Sequence, residues 1–248
     1  MKICVAQTNP VKGDILHNIG EHKKLIIMAA DQRAEAIFFP ELSLTGYEPS
    51  LAKDLAGTSA DSRFDGFQVI SEAYRLTIGA GMPVKIDDGI YIGMLLFQPG
   101  KARQVYAKKY LHPDEEKFFQ CGKIAPGLTV NDTKIALAIC YEITVPLHAT
   151  DAFNSGAKIY VASVAKSPDG SEKAVKDLSA IATGYSMTTF MSNCVGHCDD
   201  FDCGGRTSVW NNKGVLQAQL NDVDTGILIY DTETGSTISK TITSSVPL

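Results

Sequence analysis

The order of its apolar runs constrains this chain more than any other feature: short strand-like runs alternate with amphipathic helical ones from the first residues onward. Lys2 to Thr8 reads as a buried strand, and Ala36-Ile37-Phe38-Phe39 as a second one stopped by Pro40. Between them, Asp14 to Gln32 spaces Ile15, Ile19, Leu25, Ile26 and Met28 among polar residues, the pattern of a helix with one apolar face. A helix is predicted over Phe67 to Leu76 and a strand over Thr77 to Pro83, followed by a hairpin of Gly89 to Gln98 and Arg103 to Ala107 across Pro99-Gly100. Further strands are predicted at Lys134–Ile139, Ala157–Ser163, Thr188–Val195, Thr207–Trp210, Val215–Leu220 and Gly226–Tyr230. Ser171 to Thr183 reads as a helix and Asn211-Asn212-Lys213-Gly214 as a hairpin turn, while the Ser/Thr-rich tail from Thr232 carries no predicted element. There are more strands than a simple βαβ repeat supplies, and several are joined by tight turns. A layered α/β architecture with mixed sheets is therefore expected, as one domain over residues 1–248.

Charge and apolar content narrow the function. The formal net charge of −5 and the lack of a dense Lys/Arg block argue against a nucleic-acid partner. No apolar run approaches the roughly 18 residues of a membrane span, so no membrane association is expected. The start, Met1-Lys2-Ile3-Cys4-Val5, lacks the long apolar core of a secretory signal, and a cytoplasmic location is expected. Six cysteines in 248 residues are then read as thiols, one of which can be reactive.

Three residues stand where chemistry is plausible. Cys140 closes the strand-like run Lys134–Ile139 and precedes Pro146, a residue suited to a helix start. A nearby helix N-terminus would favour its thiolate, although a lone buried cysteine is more commonly inert. Glu41 follows Phe38-Phe39-Pro40, where burial would raise its pKa toward that of a general base, although most carboxylates are simply solvated. Lys108 and Lys109 follow Tyr106-Ala107; on a strand they face opposite sides, so one can enter a site while the other meets solvent.

Taken together these segments resemble the nitrilase superfamily of carbon–nitrogen hydrolases, over Met1 to about Tyr230. Phe39-Pro40-Glu41-Leu42 with Thr45-Gly46-Tyr47 matches the family's base motif, and Tyr106-x-Lys108 with Leu111 its lysine motif, which selects Lys108 over Lys109. Glu116-Lys117-Phe118-Phe119 with Gly122 matches a second-glutamate motif, and Cys140-Tyr141-Glu142 the nucleophile motif. Asn193 with Gly196, and Gly204-Gly205 before Ser208, match the late segment. The resemblance implies a four-layer αββα sandwich, face-to-face homodimers or higher homo-oligomers, and a Glu41-Lys108-Cys140 triad working without metal or organic cofactor. It also implies that Glu116 orients Lys108, that Tyr47 supports Glu41, and that the Tyr141 backbone N–H helps bind an oxyanion. Glu142, Thr144, Ser163 and Val164 are the implied substrate contacts.

Two departures bear on substrate. Many amidase members carry Arg-Phe-Pro after the nucleophile motif; here Thr144-Val145-Pro146 stands there, so a carboxylate that the arginine would bind is not implied. Tyr141 replaces the tryptophan usual in nitrilases proper, which favours the amidase branches. The reaction expected is hydrolysis of a small linear amide with release of ammonia. N-carbamoyl amide or nitrile hydrolysis with the same triad, or a catalytically idle metabolite binder, are the alternatives. Cys194, His197, Cys198, Asp199, Asp200, Asp202 and Cys203 crowd into ten residues and could bind zinc, but Cys-x2-His-Cys-x4-Cys matches no standard zinc pattern, so a loop beside the active site with incidental thiols is expected rather than a metal. His112 and His148 offer a Cys-His pair in principle, with His148 expected to point away; His17 and His22 read as surface residues of the first helix.

Overall fold

A computed structural model describes residues 1–123 and 125–242. Fifteen strands and five helices are present among these residues. The strands are β1 (Lys2–Gln7), β2 (Ala36–Phe38), β3 (Thr77–Ile86), β4 (Gly89–Phe97), β5 (Gln104–Ala107), β6 (Leu128–Val130), β7 (Thr133–Ile139) and β8 (Ile159–Ser163). They continue as β9 (Thr188–Ser192), β10 (Val195–Cys198), β11 (Phe201–Gly204), β12 (Ser208–Trp210), β13 (Leu216–Gln219), β14 (Thr225–Asp231) and β15 (Thr237–Ile242). The helices are α1 (Ile15–Asp31), α2 (Ala52–Leu55), α3 (Asp65–Tyr74), α4 (Pro146–Asn154) and α5 (Pro168–Tyr185). A seven-stranded sheet runs β15-β14-β1-β2-β3-β4-β5, a six-stranded sheet runs β13-β12-β9-β8-β7-β6, and β10-β11 form a separate hairpin.

Strand alternation explains why two sheets and two helical layers follow. Ile3 and Val5 of β1 join Ile135, Leu137 and Ile139 of β7 and Val161 of β8 in the core between the sheets. The intervening Cys4 and Ala6 instead pack with Ile15, Ile19, Leu25 and Ile26 of α1. On the other sheet, Ala138, Tyr160 and Ala162 turn outward to Ala149 of α4 and to Ala174, Leu178 and Ile181 of α5. Each sheet is therefore apolar on both faces, and a four-layer αββα sandwich is the arrangement that covers all of them. Among the described residues, no helix is long and apolar enough to cross a membrane.

Several predicted boundaries move, and three of the differences have a clear local reason. β3 continues past Pro83 to Ile86. The Pro83 carbonyl accepts from Gly57 N, so the residue's nitrogen also faces that side, beyond the last β2 pair at Phe38↔Gly79, and no ladder bond to β4 is lost. The strand predicted over Thr188–Val195 breaks at Asn193, whose side chain accepts from Lys166 N and donates to Gly205 O and Ser171 Oγ. The tail holds β15, paired antiparallel with β14 and largely exposed, so its membership of the sheet is written in backbone pairing rather than in apolar alternation. Residues 243–248 of that tail lie outside the described residues. His22, read as a surface residue, is buried between Asn18 O (2.7 Å) and Ser43 Oγ (2.9 Å) on the inner face of α1.

Candidate active site

β2, β5 and β7 each end at one rim of the sandwich and deliver one residue there. After β2, the chain turns at Pro40–Leu44 against β3. A side chain at Gly81 would meet Pro40 O and Leu42 N at 2.6 Å, so only glycine lets this turn lie so close. The turn leaves Glu41 2% exposed. After β5, Lys108 N bonds to Ile92 O (2.8 Å) and Lys108 O accepts from Gly122 N (2.7 Å), which fixes the backbone on both sides. Its ammonium is fully buried and donates to Glu41 Oε1 (2.7 Å) and Glu115 Oε1 (2.8 Å). An isolated buried ammonium is costly, and these two carboxylates are what make it tolerable. Lys109 sits on the opposite side, half-exposed, 3.3 Å from Asp151.

The second carboxylate is Glu115, and this corrects the reading of Glu116. The segment after Lys108 forms a short 3-10 turn, Pro113–Glu115, capped by His112. Glu115 Oε2 accepts from His112 N (2.8 Å), turning the carboxylate inward, while Glu116, one residue on, is exposed. The signal that finds Glu115 is the capping box: a cap residue followed three positions later by Glu. Tyr47 is corrected in the same way. Its hydroxyl donates to Glu115 Oε1 (2.9 Å) rather than supporting Glu41.

Cys140 follows β7 and opens a 3-10 turn, Cys140–Thr144, with φ of +45°. A non-glycine residue in this region is strained and must be held by its surroundings. Glu142 holds it. Its fully buried carboxylate accepts from Ile139 N (2.7 Å), Tyr106 OH (2.6 Å), Lys109 N (2.6 Å) and Tyr110 N (3.3 Å), tying the cysteine turn to the Lys108 strand. Glu142 is thus a scaffold under the site, not a substrate contact. The other expected contacts are corrected too. Thr144 is exposed and bonds Tyr141 O, the Ser163 hydroxyl bonds Phe39 O, and Val164 is buried against the outer helices. Neither Ser163 nor Val164 lines the opening, whereas Ala165 and Lys166, the next along the chain, do. His148 lies beneath the turn, bonded to Tyr106 OH (2.9 Å) and Tyr160 OH (2.8 Å). Among the described residues no histidine is hydrogen-bonded to Cys140, although His112 lines the opening and meets Tyr141 edge-on at 5.4 Å.

Above Cys140 opens a cavity of 560 Å³, a size suited to a small molecule. Its wall carries Lys117 and Lys166 on the one hand and Asp114, Asp199 and Asp200 on the other, and the loop of Cys194–Cys203 does lie beside the site. These charged residues come from three separate loops, and no local spacing links them.

The electrostatics set the protonation states. Burial pushes Glu41 up to about 7 against the opposing pull of Lys108. Burial and then the Glu41 charge push the Cys140 thiol up to about 11, outweighing the opposite effects of Lys166 and Lys108. The expectation that a helix N-terminus would favour the thiolate is therefore corrected: the thiol keeps its proton near neutral pH. Lys108 is lowered by burial but raised more by Glu41, Cys140 and Glu115, so it stays charged. Glu41 Oε2 is buried and has no hydrogen-bond partner, which leaves one acceptor free beside a protonated thiol. Such a set can move a proton from sulfur to carboxylate while a fixed cation faces a developing negative charge.

The sequence profile described as Carbon-nitrogen hydrolase matches residues 2–239. The chain belongs to the carbon–nitrogen hydrolase family. Among curated relatives of this hydrolase, the glutamine-dependent NAD(+) synthetase of Thermotoga maritima is 25% identical over 86% of this chain and 39% of its own length. The synthetase of Aquifex aeolicus is 26% identical over 97% of this chain and 44% of its own length. The chain thus spans less than half the length of the synthetases it matches. A probable nitrilase of Schizosaccharomyces pombe is 23% identical over 92% of this chain and 87% of its own. An amidase from Nesterenkonia sp. AN1, solved after Michael addition of acrylamide at its active-site cysteine, superposes with a TM-score of 0.85. It shares 22% identity with the hydrolase, covering 93% of this chain and 92% of that one, and it bears out the nitrilase-superfamily fold.

Proposed function

We propose that this carbon–nitrogen hydrolase cleaves a small linear amide through a Cys140 thioester and releases ammonia. The observation that carries the reading is the buried Lys108 ammonium, held between Glu41 and Glu115 beside a protonated thiol at the floor of a cavity. Glu41 Oε2 takes the thiol proton as Sγ attacks the amide carbonyl carbon. Lys108 Nζ and the Tyr141 N–H face the oxyanion that forms, and loss of one such donor typically costs on the order of 100–1000-fold in rate. The C–N bond breaks as Glu41 returns the proton to nitrogen, and ammonia leaves. Glu41 then deprotonates water, which attacks the thioester; the acid departs and the thiol is restored.

Acids and bases on one cavity wall favour an amide that itself carries both charges, such as glutamine, over a plain aliphatic amide. The name of the synthetase relatives supports the same choice. Ammonia release from aliphatic amides, glutamine, N-carbamoyl compounds and nitriles tests both levels. Turnover of amides, with glutamine ahead, is the expected result. Turnover of nitriles or carbamoyl compounds alone would overturn it. Because only ionised Glu41 can accept the thiol proton, kcat/KM on the best amide should rise as pH increases through about 7 and level above it. A profile flat from 5 to 9 would remove Glu41 as the base.

A further inference from the structure

Five thiols take no part in the amide chemistry, and three of them cluster together. We propose that Cys194, Cys198 and Cys203 form a binding site for one thiophilic d10 cation, Zn²⁺ or Cu⁺, behind the wall of the catalytic cavity. The three sulfurs lie within 4.8 Å of one another, and all three side chains are buried as free thiols. Cys203 Sγ stands 3.0 Å from both Cys194 Sγ and Cys198 Sγ, which are 3.9 Å apart.

The hairpin register produces this triangle. Cys203 on β11 pairs with Gly196 on β10, and Cys194 and Cys198 stand two residues to either side of Gly196. Cys-x2-His-Cys-x4-Cys spacing resembles no zinc loop, because strand pairing rather than a knuckle brings the ligands together. His197 is outside the set; it is exposed and bonded to Asp202 at 2.9 Å. A metal–sulfur bond of about 2.3 Å places sulfurs roughly 3.8–4.0 Å apart in tetrahedral or trigonal geometry. The Cys194–Cys198 edge already has that length, so Cys203 needs to withdraw by about 1 Å.

The surroundings select the ion. The cluster packs against Ala165, Tyr47 and Phe201, with no carboxylate or imidazole in the donor set. Hard cations that need oxygen ligands are thereby excluded, and thiolate-seeking ones favoured. Binding forms up to three metal–sulfur bonds and releases up to three thiol protons, with no change in oxidation state. The same hairpin places Asp199, Asp200 and Phe201 on the cavity wall, and Phe201 packs edge-on against Tyr47 at 5.9 Å. A bound ion therefore stiffens the wall that faces substrate and, through Tyr47, abuts Glu115.

The test is a titration of the reduced, chelator-stripped full chain with Zn²⁺ and, anaerobically, with Cu⁺, each against a chromophoric competitor. One equivalent of either ion should bind, with proton release and a higher Tm. Cys203→Ser should weaken binding at least about 100-fold, since even outer-shell changes at metal sites cost 10–100-fold. Cys121→Ser, which removes an exposed thiol elsewhere, should not change it. Failure of wild-type protein to hold one equivalent of either ion overturns the proposal whether or not the variants fold. So does undiminished binding by a folded Cys203→Ser, or a trio that oxidises to a disulfide and, once reduced, holds neither ion.

Discussion

Replacing Cys140 by alanine is expected to lower amide turnover by on the order of 10⁴-fold or more, because the residue that forms the covalent intermediate is lost and the oxyanion donors alone provide little. The fold should survive. Cys140 is half-buried, and its turn is held by the Glu142 carboxylate, which accepts from Ile139 N, rather than by the sulfur. Cys121→Ser, at an exposed thiol, should retain full activity. Steady-state ammonia release, with circular dichroism to confirm folding, checks the pair. A Cys140→Ala protein with substantial turnover of an amide would refute the covalent mechanism.

Lys108→Met should cost at least about 1000-fold in kcat, the upper end for one oxyanion donor, because it also leaves Glu41 and Glu115 facing each other without their cation. Two carboxylates so close cannot both ionise easily, so Glu41 would rise further and become a poor base near neutral pH. Lys109→Met should change kcat by less than about twofold, since its Asp151 partner is as exposed as it is. The neighbouring acids should divide the same way: Glu115→Gln removes a buried partner of Lys108, whereas Glu116→Gln removes a solvated charge. Side-by-side kinetics on the four variants decide the register. Equal losses at Lys108 and Lys109, or a larger loss at Glu116 than at Glu115, would contradict it.

The residues show why some of this was legible in the sequence and some was not. The unbroken apolar run Ile3–Ala6 and the spacing of Ile15, Ile19 and Ile26 declare buried faces directly, because one chemical property, apolarity, decides both burial and pattern. Glu41 and Cys140 could be singled out because each stands just past an apolar strand, and Lys108 because its motif separates it from Lys109; the ends of these strands converge on one rim. Glu115 was lost to Glu116 because two adjacent acids look alike until the turn that carries them is known; in a 3-10 turn a one-residue shift swings the side chain from Lys108 to solvent. Glu142 was misread for a related reason. Its four donors come from the backbone at Ile139, Lys109 and Tyr110 and from the Tyr106 hydroxyl, and no spacing in the sequence announces that convergence. The charge pattern of the cavity wall was not legible, since Lys117, Lys166 and Asp199 meet only after three loops have folded. β15 escaped because an exposed edge strand needs only backbone partners.

The central claim is that the amide's acyl group passes through a thioester on Cys140. Rapid acid quench of the enzyme during turnover of its best amide, followed by intact-mass and peptide mapping, tests it most directly. A mass gain equal to the acyl group on the peptide containing Cys140, absent from Cys140→Ala and lost on further incubation, is the result expected. Steady turnover with no adduct on that peptide, or an adduct on another cysteine, would contradict it.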